Sequence, residues 1–151
     1  MKKSNCIFSI FLLIFCLAAC GNSTMKKNED SFRKSIEKIE SSQVEIQDLT
    51  DFEWDYLYTF SPYTSTDQIE EIIGFKSAYI MDNMINEGIT YLLFVKDNTV
   101  VANIQGYADS LGYSINFGCY DNYLCIDSSE KCTFSVTNED DVKYLEYLPE
   151  E

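Results

Sequence analysis

The chain contains no histidine. That absence removes the Ser-His and Cys-His nucleophile pairs, the His-Glu-x-x-His zinc proteases and every imidazole general base. Chemistry built on carboxylates, tyrosines or lysines stays open. Positive charge is scarce as well: 11 Lys and Arg face 25 Asp and Glu, for a formal net charge of −14. Nucleic acid is therefore not an expected partner, because its phosphates are held by Lys and Arg. The apolar run near the N-terminus, residues 7–17, falls short of the roughly 20 residues that a membrane-spanning helix needs. No Cys-x-x-Cys pair offers a zinc site.

What is present begins with that short run. Lys2 and Lys3 precede it, Ser9 alone interrupts it, and Ala18 and Ala19 lead from it into Cys20. A charged start, an apolar core of roughly 7–15 residues and a small-residue cleavage site make a secretory signal. Leu17-Ala18-Ala19-Cys20, followed by Gly21, resembles the lipobox of bacterial lipoproteins. The resemblance implies removal of residues 1–19 and a diacylglyceryl group on the Cys20 thiol. It also implies residence on the extracytoplasmic face of the cell membrane, within the cell envelope. One acyl chain binds a bilayer only marginally whereas two hold it stably, so a diacylated cysteine needs no spanning helix. The alternative is an ordinary cleaved signal that happens to end in cysteine. Cys6 and Cys16 leave with the leader in either case. So do Lys2 and Lys3 but no acid, which takes the charge from −14 to −16. Such a field draws in a cationic protein, peptide or ion, and it equally keeps an exported domain soluble.

Beyond Cys20, the polar residues 21–30 read as a flexible tether, and residues 31–151 as a single α+β domain. Ser31 is suited to cap a helix whose stripe is Phe32, Ile36 and Ile39, ending near Ser42. Phe52, Trp54, Tyr56, Tyr58 and Phe60 recur at period two and predict one face of a half-buried strand that Pro62 ends. A helix capped by Ser65 or Thr66 runs over 67–73 and stops at Gly74. Strands are expected over 77–81, 89–96, 99–107, 113–119, 123–126 and 132–137, with Asp97-Asn98 as a hairpin turn. Residues 140–148 suggest a helical turn, whose N-terminal dipole would account for Glu139, Asp140 and Asp141. The expected architecture is an antiparallel sheet of about five to six strands with two short helices packed on one face.

Trp54-Asp55, Tyr58-Thr59-Phe60, Pro62-Tyr63-Thr64, the helix ending at Gly74 and Phe94-Val95-Lys96-Asp97-Asn98 together carry a resemblance. Over residues 52–107 the chain resembles small uncharacterised lipoproteins of low-GC Gram-positive bacteria. This resemblance brings no functional residues with it. The helix-then-glycine segment followed by hairpins is similar, more weakly, to the β-lactamase-inhibitor-like and outer-membrane-assembly lipoprotein fold.

The candidate ligand contacts are Trp54, Asp55 and Tyr63, with the two rings stacking on a sugar or peptide; the competing reading makes the strand aromatics core. Asp55 with Glu53 or Asp67 could form a carboxylate pair, which glycosidases hold roughly 5–10 Å apart. Cys119, Cys125 and Cys132 remain once the leader is gone and Cys20 is given to lipid. Cys125 and Cys132 flank a short loop and are the candidate disulfide of an exported domain, worth about 2–3 kcal/mol. The alternative is three buried thiols acting as small hydrophobes. Asp121-Asn122 and the 127–130 loop offer oxygen ligands without EF-hand spacing, so neither a metal nor a cofactor is expected. The leading functional expectation is a non-catalytic interaction module anchored at the envelope. The alternatives are an inhibitor or immunity-like protein that captures a cationic toxin or enzyme, and a carboxylate-based enzyme acting on envelope glycans.

Overall fold

The computed structural model describes residues 23–82 and 87–149. The expected leader and Cys20 lie outside the described residues. A helix over 23–37, α1, is followed by β1 (Gln43–Glu45) and a 3-10 turn (Ile46–Leu49). Then come β2 (Tyr56–Phe60), α2 (Thr66–Ile73), β3 (Thr90–Lys96), β4 (Thr99–Gly106) and the one-turn α3 (Ala108–Leu111). The chain ends with β5 (Tyr113–Asn116), β6 (Tyr123–Asp127), β7 (Thr133–Glu139) and β8 (Val142–Leu148). The fold is α+β, but its strands form two four-stranded sheets rather than one sheet of five or six. The first runs β4-β3-β2-β6 and is antiparallel throughout. The second runs β1-β7-β8-β5 and is mixed, since β5 and β8 are parallel.

β3 explains why one sheet cannot suffice. Its sequence Thr-Tyr-Leu-Leu-Phe-Val-Lys is apolar without alternation, the mark of a strand buried on both faces. Leu92 and Phe94 point into the larger core with Leu57, Ala102, Ile104 and Ile126. That core is closed by the second sheet, through Ile115, Phe134 and Leu145, and by Phe32 and Ile36 of α1. Phe94 is its hub, with ring centroids 5.5 Å from Phe32, 5.3 Å from Phe52 and 5.6 Å from Trp54. Tyr91, Leu93 and Val95 point the other way, into a smaller core beneath α2 with Ile69 and Ile80. The first sheet is thus a middle layer, and its two faces carry different covers.

Several local expectations are corrected by this packing. Residues 23–30, expected as a tether, are the first half of α1 and are docked. Asn28 is buried and its Nδ2 donates to the Val101 carbonyl at 2.9 Å, while the Asn103 N–H donates to Glu29 Oε1 at 3.1 Å. Together they bond alternate backbone groups on the outer edge of β4. Residues 77–81 form no strand; they wrap the smaller core with Ile80, and the Tyr79 carbonyl accepts from Asn103 Nδ2 at 2.7 Å. Residues 142–148, expected to be helical, form β8, which lies between β7 and β5. Asp140 and Asp141 therefore form a turn, with φ of 47° and 64°, matching Asp97 and Asn98 at 48° and 55°. Consecutive positive φ values suit the two-residue hairpin loop that follows strand twist. α2 begins as expected at Ser65: its hydroxyl accepts from the Gln68 N–H and the Gln68 side chain accepts from the Ser65 N–H. It ends on Gly74, at φ 84°.

Two substitutions test the docking of α1. Asn28→Ala leaves a β4 carbonyl without its partner and should lower stability by about 1–3 kcal/mol in urea denaturation, where a tether residue would be silent. Burial, against the pull of the Asn103 N–H, holds the Glu29 carboxyl above its ordinary value. The folded state thus keeps this proton longer than the unfolded chain, so stability falls as pH rises from the ordinary glutamate range through the folded value. Glu29→Gln should remove that fall: its stability curve against pH should join the wild type in acid and lie above it toward neutrality.

Candidate functional site

The three candidate ligand contacts are not brought together. β2 starts only at Tyr56, and residues 51–55 bend before it. That bend carries Phe52 and Trp54 onto Phe94 in the larger core, whereas Tyr58 and Phe60 belong to the smaller one. Trp54 is only 7% exposed, and its indole N–H donates to Thr50 Oγ1 at 3.1 Å. Asp55 clamps the turn between β3 and β4. Its Oδ2 accepts the Asp97 N–H at 2.8 Å, and its Oδ1 lies 3.6 Å from Lys96 Nζ, which also meets Glu53 at 3.3 Å. Tyr63 stands alone in the loop after Pro62, 61% exposed and at φ 69°.

The expected Cys125–Cys132 disulfide is likewise corrected: Cys119, Cys125 and Cys132 are all free. Ile126 faces the larger core, so its neighbour Cys125 faces the opposite side of the sheet, where the Tyr58 hydroxyl donates to its sulfur. Cys132 is sealed in the larger core, where burial first and then the charge of Glu130 push its thiol up to about 12. Burial also raises Cys125. Cys119 is exposed. Among the described residues no cluster of three or more Cys, Asp or Glu could hold a metal ion. In the 127–130 loop the Asp127 carboxylate accepts instead from Ser129, at 2.6 Å from the hydroxyl and 2.9 Å from the N–H. Those bonds hold Asp127 below the ordinary carboxylate value.

The structure instead assembles an aromatic row across β2 and β6. Alternation along β2 puts Tyr56, Tyr58 and Phe60 on one face, with Tyr58 and Phe60 stacked at 6.0 Å and 11°. Across the ladder Phe60 faces Tyr123, Tyr58 faces Cys125 and Tyr56 faces Asp127. Phe60 is buried, with ring contacts to Tyr91 and Tyr123. The apolar cover from α2 ends there: Tyr56 is 42% and Tyr123 44% exposed. Burial, and then the bond to Cys125, raise the Tyr58 hydroxyl well above its ordinary value, so this hydroxyl keeps its proton near neutrality. Exposed tyrosines give broad, rigid contact area with a polar tip. Sequence alternation revealed the β2 half of this row. It could not show that Tyr123 joins it, because that depends on the β2–β6 register.

Beside the row opens a cleft of about 600 Å³ between the two sheets, lined by Thr59, Phe60 and Pro62 on one side and Asn116, Cys119, Tyr120 and Glu146 on the other. Its polar groups bond one another. Asn116 Nδ2 donates to Glu146 at 2.8 Å, the Gly118 N–H donates to Asn116 Oδ1 at 2.9 Å, and Tyr120 and Thr59 share a hydroxyl contact of 3.2 Å. Among the described lining residues Glu146 is the one carboxylate, so the cleft does not assemble a paired acid and base.

The three thiols should separate on exposure. In the folded protein Cys119 should react at once with a thiol reagent and Cys125 slowly. Cys132 should react only in denaturant, and all three should then be tagged without prior reduction. Cys119→Ser should remove the fast phase; two tags missing before reduction would restore the disulfide. No protein-family model, no curated protein and no solved structure matches the chain.

Proposed function

We propose that the protein is a non-catalytic binding module held at a bacterial membrane by lipid on Cys20, with its folded part on the extracytoplasmic side of the envelope. The anchor rests on the Leu17-Ala18-Ala19-Cys20 motif and its leader. No helix among the described residues is long and apolar enough to cross a membrane. The binding role rests on one observation: Tyr56 and Tyr123 stand exposed at opposite ends of the β2–β6 ladder and are joined by ring contacts through Tyr58 and Phe60. Single exposed apolar residues are ordinary surface, whereas a contiguous aromatic patch marks an interaction site. The acidity of the chain favours a second reading, in which the captured partner is a cationic toxin or enzyme. The glycan-enzyme alternative has no comparable support, because Asp55 is engaged in bonds to the Asp97 turn and to Lys96.

Mass spectrometry of the native product should find Cys20 as the N-terminus carrying two acyl chains. An intact leader or a bare thiol would remove the anchor. Pull-down from envelope extract should yield a saturable partner that salt weakens, and Tyr56→Ala with Tyr123→Ala should reduce its capture by about tenfold or more, as for loss of hot-spot rings. Undiminished capture by that double variant would take the binding role away from this face.

A further inference from the structure

The two sheets have four edges between them, and three are dealt with. β4 is bonded by Asn28 and Glu29 of α1. β5 has four residues, and the Ile115 N–H is taken by Thr90 Oγ1 at 3.1 Å. β1 has three residues. β6 is left: five residues, Tyr-Leu-Cys-Ile-Asp, paired with β2 alone. Natural edge strands are blunted by lysine, proline, bulges or a covering element, and among the described residues β6 has none of these.

Which of its backbone groups are open follows from the ladder's phase. The Ser61 N–H donates to the Asn122 carbonyl at 2.9 Å, and the Ser128 N–H to the Asp55 carbonyl at 2.8 Å. Hydrogen-bonded pairs alternate in an antiparallel ladder. Both bonds therefore place Leu124 and Ile126 in the inward-bonding set and leave Tyr123 and Cys125 with N–H and C=O directed away from β2. These same residues carry their side chains in the aromatic row. Main-chain bonding and aromatic contact are thus offered at one edge.

Charge decides what would take up that offer. Asp121 precedes the strand, Asp127 ends it and Glu130 follows in the turn, while the nearby Lys131 is already paired with Glu45 at 3.1 Å. A second copy would bring the same acids and the same strong net negative charge to the same place. A basic chain would meet complementary charge.

We propose that β6 is an acceptor edge, on which an extended, lysine- or arginine-bearing segment of a partner protein adds as a fifth strand of the first sheet. This rests on the binding-module reading and names the kind of partner. Alternate residues of the added segment would continue the row beyond Tyr123 and Cys125, and the residues between them would lie beside Leu124. Strand addition takes its affinity from main-chain bonds and its selectivity from such alternate side chains.

The test uses the mature protein and three blocked decapeptides: one alternating lysine with valine, the same peptide N-methylated at every second amide, and a glutamate-valine counterpart. The first should bind in calorimetry, weaken with salt, and slow hydrogen exchange at the Tyr123 and Cys125 amides. N-methylation should weaken binding roughly tenfold or more, since each lost main-chain bond is worth about 1 kcal/mol, and the acidic peptide should not bind. Cys125→Pro removes an N–H that β2 does not use, so it should lower affinity without an equal loss of thermal stability; Tyr123→Lys gives a second variant should the proline prevent folding. Equal binding of the methylated peptide would overturn strand addition while leaving the aromatic face as a binding site. Equal binding of the acidic peptide would overturn the charge argument. Concentration-dependent dimers that protect Tyr123 and Cys125 would replace the basic partner with a second copy. A basic peptide that neither binds nor protects those amides would overturn the inference, whereas loss of the binding-module reading itself would show as the absence of any saturable envelope partner.

Discussion

Everything in this fold is arranged to keep β3 dry on both sides. A strand that reads Tyr-Leu-Leu-Phe-Val has no face to give to water, so the sheet that contains it must be an inner layer. Two unlike covers satisfy it. The larger one is a second sheet with α1, and Phe94 is the point where they meet, touching Phe32, Phe52 and Trp54. The smaller one is α2 and the segment after it, resting on Tyr91, Leu93 and Val95. Because α2 has only eight residues, about 12 Å of helix, it cannot shield a four-stranded sheet across its full width. The uncovered remainder is the β2–β6 margin, where Tyr56 and Tyr123 come to the surface.

The same geometry orders the sheet's edges. α1 lies along β4 and bonds the backbone of that strand with Asn28 and Glu29, an arrangement in which a half-buried carboxyl is tolerated because an N–H is aimed at it. The opposite edge, β6, has acids near its ends and aromatic rings along its face. An edge of this kind is a hazard in a neutral protein, since it invites pairing between copies. Strong negative charge on every copy opposes that pairing and favours a basic chain, which links the composition of the whole molecule to the edge left open among the described residues.

The readings that relied on local rules describe the structure well. The capping of α2 by Ser65, its stop at Gly74, the Asp97-Asn98 hairpin and the bounds of β3 and β4 all depend on groups within a few residues of one another. The readings that failed needed distant partners. Residues 23–30 are polar enough for a tether, yet Asn28 and Glu29 are polar because an edge strand more than seventy residues away needs their bonds. Residues 142–148 contain Lys, Glu and Tyr at spacings a helix could use, and become a strand because β7 and β5 flank them. Trp54 falls in step with Tyr56 and Tyr58, but a bend before β2 turns it to the other core.

The candidate site divides along the same line. By itself the sequence determined the acidic balance, the exclusion of imidazole chemistry, and the alternation that puts Tyr56, Tyr58 and Phe60 on one face. Only the tertiary structure decided that Tyr123 joins that row, that Cys125 and Cys132 face opposite sides of a sheet, and that β6 is a sheet edge. The reason is physical. Composition and periodicity are properties of neighbours along the chain, whereas register and edge exposure exist only once strands far apart in sequence have been laid side by side.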